Sequence, residues 1–375
     1  MRQRPKALGF VSLLTLLVAL DVATPLEAVS RSRQCRKACR EQIASCVGAG
    51  GRPRACRRRV LGRCKREGVA ACRGEAFAPS TTTTTLPGGG SPAAGGAIRT
   101  VFLIVMENTD WADIEGSSSA PYINNTLLPL ASRAEQYYNP PNMHPSLPNY
   151  LWLEAGTNFN ILDDNLPSQN QQSTTSHLVT MLEAAGISWK TYQEDEGSGA
   201  WDGSYCPAGN DGNWYDVNHN PFAYFTDITS RTARCHDHVR PYSEFPTDLA
   251  SNMVPRYNFI VPDLCHDMHE NISCSQSNRV RFGDTWLSTE VPKILASPAY
   301  LDNGALFITW DEAASNDGPI GMIVLSPKAK RGYSNSIAYD HGSTLRTLQE
   351  IFGVSPMLRG AATATDLSDL FVSFP

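Results

Sequence analysis

Ser146 stands in a stretch suited to presenting a single hydroxyl, Asn142-Met-His-Pro-Ser146-Leu-Pro-Asn-Tyr150-Leu-Trp-Leu-Glu-Ala-Gly156. Pro145 and Pro148 work against regular structure around the serine. Pro148 suits a first helical turn, where its missing N–H would lack a partner anyway. From Asn149 onward, the apolar Tyr150, Leu151 and Leu153 predict a short buried helix closed at Gly156. A hydroxyl at a helix N-terminus faces unpaired N–H groups and the positive end of the helix dipole. That is a good place to attack, and then hold, an anionic phosphoryl group. Taken alone, the same residues would read first as a proline-rich turn with Ser146 as its N-cap.

Chemistry-bearing residues also follow apolar runs at four other places. Glu107-Asn108 ends the run Thr100-Val-Phe-Leu-Ile-Val-Met106, and Asp263 follows Tyr257-Asn-Phe-Ile-Val-Pro262. Asp311-Glu312 follows Leu306-Phe-Ile-Thr-Trp310, and His341 opens the last helix in Tyr339-Asp-His-Gly-Ser-Thr-Leu345. Singly, each carboxylate would pass for a turn or capping residue. Together, acids placed directly after apolar strands converge on one sheet edge, where their repulsion is costly unless a cation neutralises it. Oxygen ligands with one or two imidazoles describe a divalent metal site.

The elements that must position these groups alternate. Near-continuous apolar runs predict buried strands at 100–106, 188–193, 257–262, 305–310 and 322–326. Helices are expected at 121–134, 176–186, 283–295 and 343–352. The alternation indicates an α/β domain with a mostly parallel sheet sandwiched by helices, and such sheets bind ligands at the carboxyl ends of their strands. This domain is expected over residues 98–375.

The first third of the chain reads differently. Arg2, Arg4 and Lys6 precede an apolar run from Ala7 to Leu20, the order of a secretory signal peptide over residues 1–30. Six cysteines between Cys35 and Cys72 then predict a disulfide-stapled helical module over residues 31–76, since its few apolar residues could not support a fold alone. That module carries 14 Lys and Arg against 3 acids, +11, whereas residues 77–375 carry 15 basic against 32 acidic residues, −17. Its arginines would suit an anionic cell-surface polymer or membrane, or form a solvated surface; without interleaved aromatic residues, specific nucleic-acid binding is not expected. The Thr-, Pro- and Gly-rich residues 77–97 read as a linker. Four further cysteines at 206, 235, 265 and 274 most simply pair as Cys206–Cys235 and Cys265–Cys274, although three pairings are open. They contain no Cys-x-x-Cys spacing, which disfavours a zinc site.

Several motifs in order carry a resemblance. They are Met106-Glu-Asn108, His144-Pro-Ser-Leu-Pro-Asn-Tyr150, Val261-Pro-Asp-Leu-Cys-His-Asp-Met-His269, Gly283-Asp-Thr-Trp-Leu287, Ile308-Thr-Trp-Asp-Glu312 and His341-Gly-Ser-Thr-Leu-Arg-Thr347. In these, residues 98–356 resemble the bacterial phosphoesterase family of secreted acid phosphatases and phospholipases C, within the alkaline phosphatase superfamily. The resemblance implies Ser146 as nucleophile and Glu107, Asn108, Asp311 and Glu312 as metal ligands. It places Asp263, Asp267, His269 and His341 where related enzymes hold a second metal or the substrate phosphate. His144 and His266 are additional candidates.

One or two divalent ions would then serve a phosphoserine mechanism, with His341 or His269 assisting the leaving group. The expected activity is that of an exported acid phosphatase acting on phosphate monoesters. A phospholipase C or other phosphodiesterase is the alternative, and an inactive surface-binding protein a further one. Ser146-Leu-Pro-Asn-Tyr150 lacks the arginine a sulfatase needs after its nucleophile, and no Gly-x-Ser-x-Gly elbow marks a lipase.

Overall fold

The apolar run Thr100–Met106 lies at the middle of the central sheet. The computed structural model describes residues 97–196, 214–269, 274, 278–314 and 318–375. The expected signal peptide, the cysteine module, nearly all of the linker, and Cys206 therefore lie outside the described residues. The strands are β1 (Thr100–Met106), β2 (Ser132–Ala134), β3 (Tyr137–Tyr138), β4 (Trp189–Gln193), β5 (Val239–Pro241), β6 (Tyr257–Val261), β7 (Gly304–Trp310), β8 (Met322–Leu325), β9 (Tyr333–Asn335) and β10 (Tyr339–Asp340). The longer helices are α1 (Ser146–Ala155), α2 (Leu178–Ala184), α3 (Thr232–His238), α4 (Phe245–Ser251), α5 (Arg279–Leu295) and α6 (His341–Phe352).

Eight strands form one sheet in the order β5-β4-β6-β1-β7-β8-β2-β9, and β3 and β10 form a separate pair. The run from β5 to β7 is parallel throughout, and only β8 turns antiparallel to its neighbours β7 and β2. The mostly parallel sheet expected from the sequence is thus observed. β6 and β7 are buried along their whole length, and β1 everywhere but at Thr100. Burial on both faces explains why their sequences show no alternation. The helices pack as two groups, α1 with α2 and α6, and α4 with α5.

Register sets the site. Met106 pairs with Trp310 and Ile104 with Ile260, so β1 and β7 stop level with each other. Glu107 and Asp311 are the next residues after these neighbouring strands, tied by a hydrogen bond from Asp311 N to Met106 O of 2.8 Å.

The helix expected over 121–134 is not formed as such. A single wide turn at Ile123–Leu127 gives way to β2, because Pro129 cannot continue the helical hydrogen-bond ladder. The helix that carries Ser146 begins earlier than expected, at Ser146 itself, and ends at Gly156 with φ of 69°. A Cβ at Gly156 would stand 2.8 Å from Leu358 O, so the left-handed cap and the close approach both require glycine. Likewise α6 starts at His341, because Asp340 and Ser343 form a reciprocal capping box. Cys265 and Cys274 form the expected disulfide; Cys235 is also disulfide-bonded, but its expected partner is not among the described residues.

Candidate active site

Ser146 is the first residue of α1 and is 5% exposed. Its hydroxyl donates to Glu107 Oε2 at 3.0 Å. The other Glu107 oxygen, Oε1, accepts from Tyr150 Oη at 2.5 Å and has His219 Nε2 at 3.4 Å. Tyr150 lies one helical turn beyond Ser146, so the same helix supplies both donors. The rings of Tyr150 and His219 stack with centroids 5.3 Å apart.

The second acidic group is organised from the other side. Asp311 Oδ1 accepts the main-chain N–H of Asn108 at 3.0 Å. Glu312 Oε1 accepts from Asn108 Nδ2 at 2.9 Å, and its Oε2 accepts from Asn149 Nδ2 at 3.0 Å and faces His144 Nδ1 at 2.7 Å. Asn108 adopts φ of 28°, a conformation that asparagine tolerates better than most residues. Behind this turn, Arg279 Nη1 braces Thr109 Oγ1 and Met268 O at 2.6 and 3.0 Å. Asp267 joins through its main chain, whose carbonyl accepts from Glu107 N at 2.7 Å, while its Oδ1 accepts from His269 N at 2.7 Å.

These carboxylates are buried and repel one another. Burial, then the charges of Asp311 and Asp267, push the Glu107 carboxyl well above its ordinary range. Burial and Glu312 do the same to Asp311, and burial, with a contribution from Asp263, to Asp267. Four acceptor atoms here, Asn108 Oδ1, Asn149 Oδ1, Asp267 Oδ2 and Asp311 Oδ2, are buried without a hydrogen-bond partner. Buried polar atoms are rarely left so. A hard divalent cation takes oxygen ligands of this kind, so the donor set fits the metal that the sequence led us to expect.

The structure distributes the expected site residues unevenly. Ser146, Glu107, Asn108, Asp267, Asp311, Glu312 and His144 come together. Asp263 does not join them directly: its Oδ1 accepts from Cys265 N and His266 N, and its Oδ2 lies 3.1 Å from His266 Nδ1. Glu194 completes that neighbouring cluster at 3.0 Å from the same nitrogen, and the three side chains converge closely enough to share an ion. Burial opposes the charge on His266, but its bonds to Asp263 and Glu194 raise it to about 10.

His341 is wholly buried. Its Nε2 donates to Asp311 O at 2.5 Å, which leaves Nδ1 to accept from Tyr137 Oη at 3.1 Å. Burial lowers its pKa to about 4. With both nitrogens engaged, this imidazole holds the Asp311 turn in place. His269 lies near enough to His219 to reinforce the effect of burial, which lowers the His219 pKa to about 3.

One expectation for the helix N-terminus needs correction. The Leu147 N–H donates to Asp164 Oδ1 at 2.9 Å, and Pro148 has none to offer. The first turn therefore presents fewer free donors to an anion than its position suggested. Asn149, Tyr150 and His219 were not identified as site residues from sequence. The first two looked like part of a helix, and His219 sits in a polar insert with no spacing to mark it.

The phosphoesterase family model matches residues 133–355, more than half of the chain. A phosphatidylinositol-3-phosphatase of Mycobacterium tuberculosis is 29% identical over 72% of this chain and 82% of its own. A probable acid phosphatase of Kluyveromyces lactis is 26% identical over 68% of this chain, and the match spans 58% of that relative's length. Among solved structures, an alkaline phosphatase superfamily protein from Vibrio parahaemolyticus aligns at 12% identity with a TM-score of 0.47, covering 73% of this chain and 72% of that one.

Proposed function

The chain belongs to the phosphoesterase family, and from that membership we propose that it hydrolyses phosphate monoesters through a covalent phosphoserine at Ser146. The observation that carries the reading is the Ser146 hydroxyl, aimed at Glu107 from the first residue of a helix and set among buried acceptors left without partners. The names of the two relatives above, an acid phosphatase and a phosphatidylinositol-3-phosphatase, support a monoester as substrate. The signal-like order of residues 1–30 supports export.

Glu107, Asn108, Asp311 and Glu312 would hold a divalent cation, with Asp267 beside them. Such an ion lowers the pKa of a nearby hydroxyl and neutralises phosphate charge. The chain's own groups do the rest. Glu107 Oε2 receives the Ser146 proton, to which it is already hydrogen-bonded. Ser146 Oγ attacks phosphorus, the bond to the ester oxygen breaks, and the leaving alkoxide takes a proton. His144 is the candidate donor, with its side chain 41% exposed and its Nδ1 on Glu312. Water then attacks phosphorus and gives a proton to His144, Oγ leaves and takes its proton back from Glu107, and phosphate departs. Asn149 and Tyr150, fixed on the same helix as the nucleophile, keep Glu312 and Glu107 oriented throughout. Positioning and charge neutralisation supply most of the rate in phosphoryl transfer, so this fixed frame is the central contribution of the fold.

The test is steady-state kinetics on p-nitrophenyl phosphate and on bis(p-nitrophenyl) phosphate, with mass spectrometry of acid-quenched enzyme. The expected result is a higher kcat/KM on the monoester and phosphate recovered on Ser146. A higher kcat/KM on the diester would replace the monoester reading, and turnover without phosphoserine would remove Ser146 as nucleophile.

A further inference from the structure

Arg279, the first residue of α5, reaches the acidic cluster through the main chain rather than through its carboxylates. Its Nη1 donates to Asn108 O at 2.6 Å, to Thr109 Oγ1 at 2.6 Å and to Met268 O at 3.0 Å. Thr109 is fully buried and passes the link on, its Oγ1 donating to Glu107 O at 2.9 Å. One guanidinium nitrogen thus ties together the two turns that carry the acids. The turn after β1 bears Glu107 and Asn108, and the turn after β6 bears Asp267. Glu107 N, donating to Asp267 O at 2.7 Å, is the second tie between them.

Both turns need holding. Asn108 has φ of 28° and Met268 φ of 79°, left-handed values that persist in such residues only where the surroundings enforce them. The two carbonyls that Arg279 bonds directly belong to these two residues. Asn108 Oδ1 and Asp267 Oδ2, two of the buried acceptors without partners, sit on the same turns. The base of the arginine is fixed in its own right. One helical turn on, Gly283 lies so close to the turn after β6 that a Cβ there would stand 2.9 Å from His266 O. Charge pairing alone does not account for the placement, because Asp113 Oδ2 lies farther off, at 3.8 Å, on a half-exposed side chain.

We infer that Arg279 is a positioning residue for the divalent-cation site, setting the main chain of Glu107, Asn108 and Asp267 so that their side-chain oxygens face one place. The role rests on the reading of those acids as a cation site. It predicts the opposite of what charge predicts. A guanidinium beside a cation repels it, so by charge alone the metal would bind more tightly once Arg279 is removed. A positioning role means that it binds more weakly.

Calorimetric titration of manganese(II) into the metal-free full chain reads this without turnover. Arg279→Met, which keeps the apolar stem and removes the donors, should weaken binding by on the order of 100-fold. Arg279→Lys, which restores a donor nitrogen, should recover part of that loss. Thr109→Val cuts the relay to Glu107 O with the charge left in place, and should weaken binding by about tenfold. Unchanged or tighter binding in folded Arg279→Met would overturn the proposal, even with a lowered melting temperature. Should that variant not fold, unchanged binding in Thr109→Val would overturn it. An unaltered chain that takes up no manganese would remove the cation site and this role with it, whereas equal binding by the unaltered chain and both variants would remove the role alone.

Discussion

The two ends of α1 handle buried charge in opposite ways. At its N-terminus, Ser146 meets Glu107, which lies beside Asp311 and Asp267; burial and mutual repulsion raise the pKa of all three acids, and acceptor atoms there lack partners. At its C-terminus, Glu154 accepts from His177 Nδ1 at 2.8 Å and from Val179 N at 2.8 Å. His177 Nε2 faces Asp227 at 3.2 Å, and Asp227 accepts from Arg234 at 2.6 Å. There signs alternate, and only Glu154 Oε2 lacks a donor. Burial opposes charge on His177, yet its bonds to Asp227 and Glu154 raise its pKa. Bonds to His177 and Arg234 outweigh burial and hold Asp227 well below the usual carboxylate range. One end is completed by the protein and acts as a clamp. The other leaves buried acceptors without partners, as expected of a site rather than a scaffold.

The largest expected effect lies at the incomplete end. Ser146→Ala should lower kcat by on the order of 10³-fold or more, because the covalent route closes, while the melting temperature stays within a few degrees. Near-parental turnover in that folded variant would end the contrast between the two ends.

Asp311→Asn should also cut activity strongly, yet raise the stability of metal-free protein by about 1 kcal/mol, since one of several repelling buried charges is gone. The pH dependence has a definite sign. A carboxyl whose folded pKa lies above its unfolded value favours folding when protonated. Metal-free protein should therefore lose stability as pH rises above about 4. Denaturant titrations across pH should show a shallower loss in Asp311→Asn; an equal or steeper loss would refute the repulsion argument.

Tyr150→Phe removes one donor from Glu107 and should weaken divalent-metal affinity by about 10- to 100-fold, the usual cost of losing an outer hydrogen bond to a ligand. Calorimetric metal titration reads this directly, and an unchanged affinity would show that Glu107 needs no such restraint.

His177→Gln tests the clamp. It breaks a buried ion network and should cost about 3 kcal/mol in unfolding free energy, with little effect on the chemistry of the folded enzyme. Because the folded pKa of His177 is raised, its contribution is full below about 6.5 and is lost as pH climbs through the raised value. The deficit of the variant should thus be largest in acid. A deficit that grew with pH would mean that His177 is buried neutral.

How far the sequence revealed this arrangement depended on what each residue answers to. β1, β6 and β7 were legible because strands buried on both faces must be apolar throughout. β2, β5 and β9, three residues each, exist only because neighbouring strands pair with them, and nothing in Ser132–Ala134 announces it. The acids after β1 and β7 could be found by the strand-end rule. Asp263 obeyed the same rule, but Glu194, from the next strand over, drew it into another cluster. Tyr150 was hidden by its own apolar ring, which served the helix pattern while its hydroxyl served Glu107. His219 reaches Glu107 across 112 positions of chain, a contact that only tertiary folding creates.

The level ending of β1 and β7 has a consequence for how this protein can vary. Neighbouring parallel strands in register act as a shared reading frame: side chains opposite each other point to the same face, and successive ones alternate. Swapping one apolar residue for another within Thr100–Met106 alters packing but keeps the frame. Losing a single residue there would shift it, turning Glu107 away from Asp311 without touching either acid. The chemistry of this domain is therefore far more tolerant of spelling changes in β1 than of a change in its length.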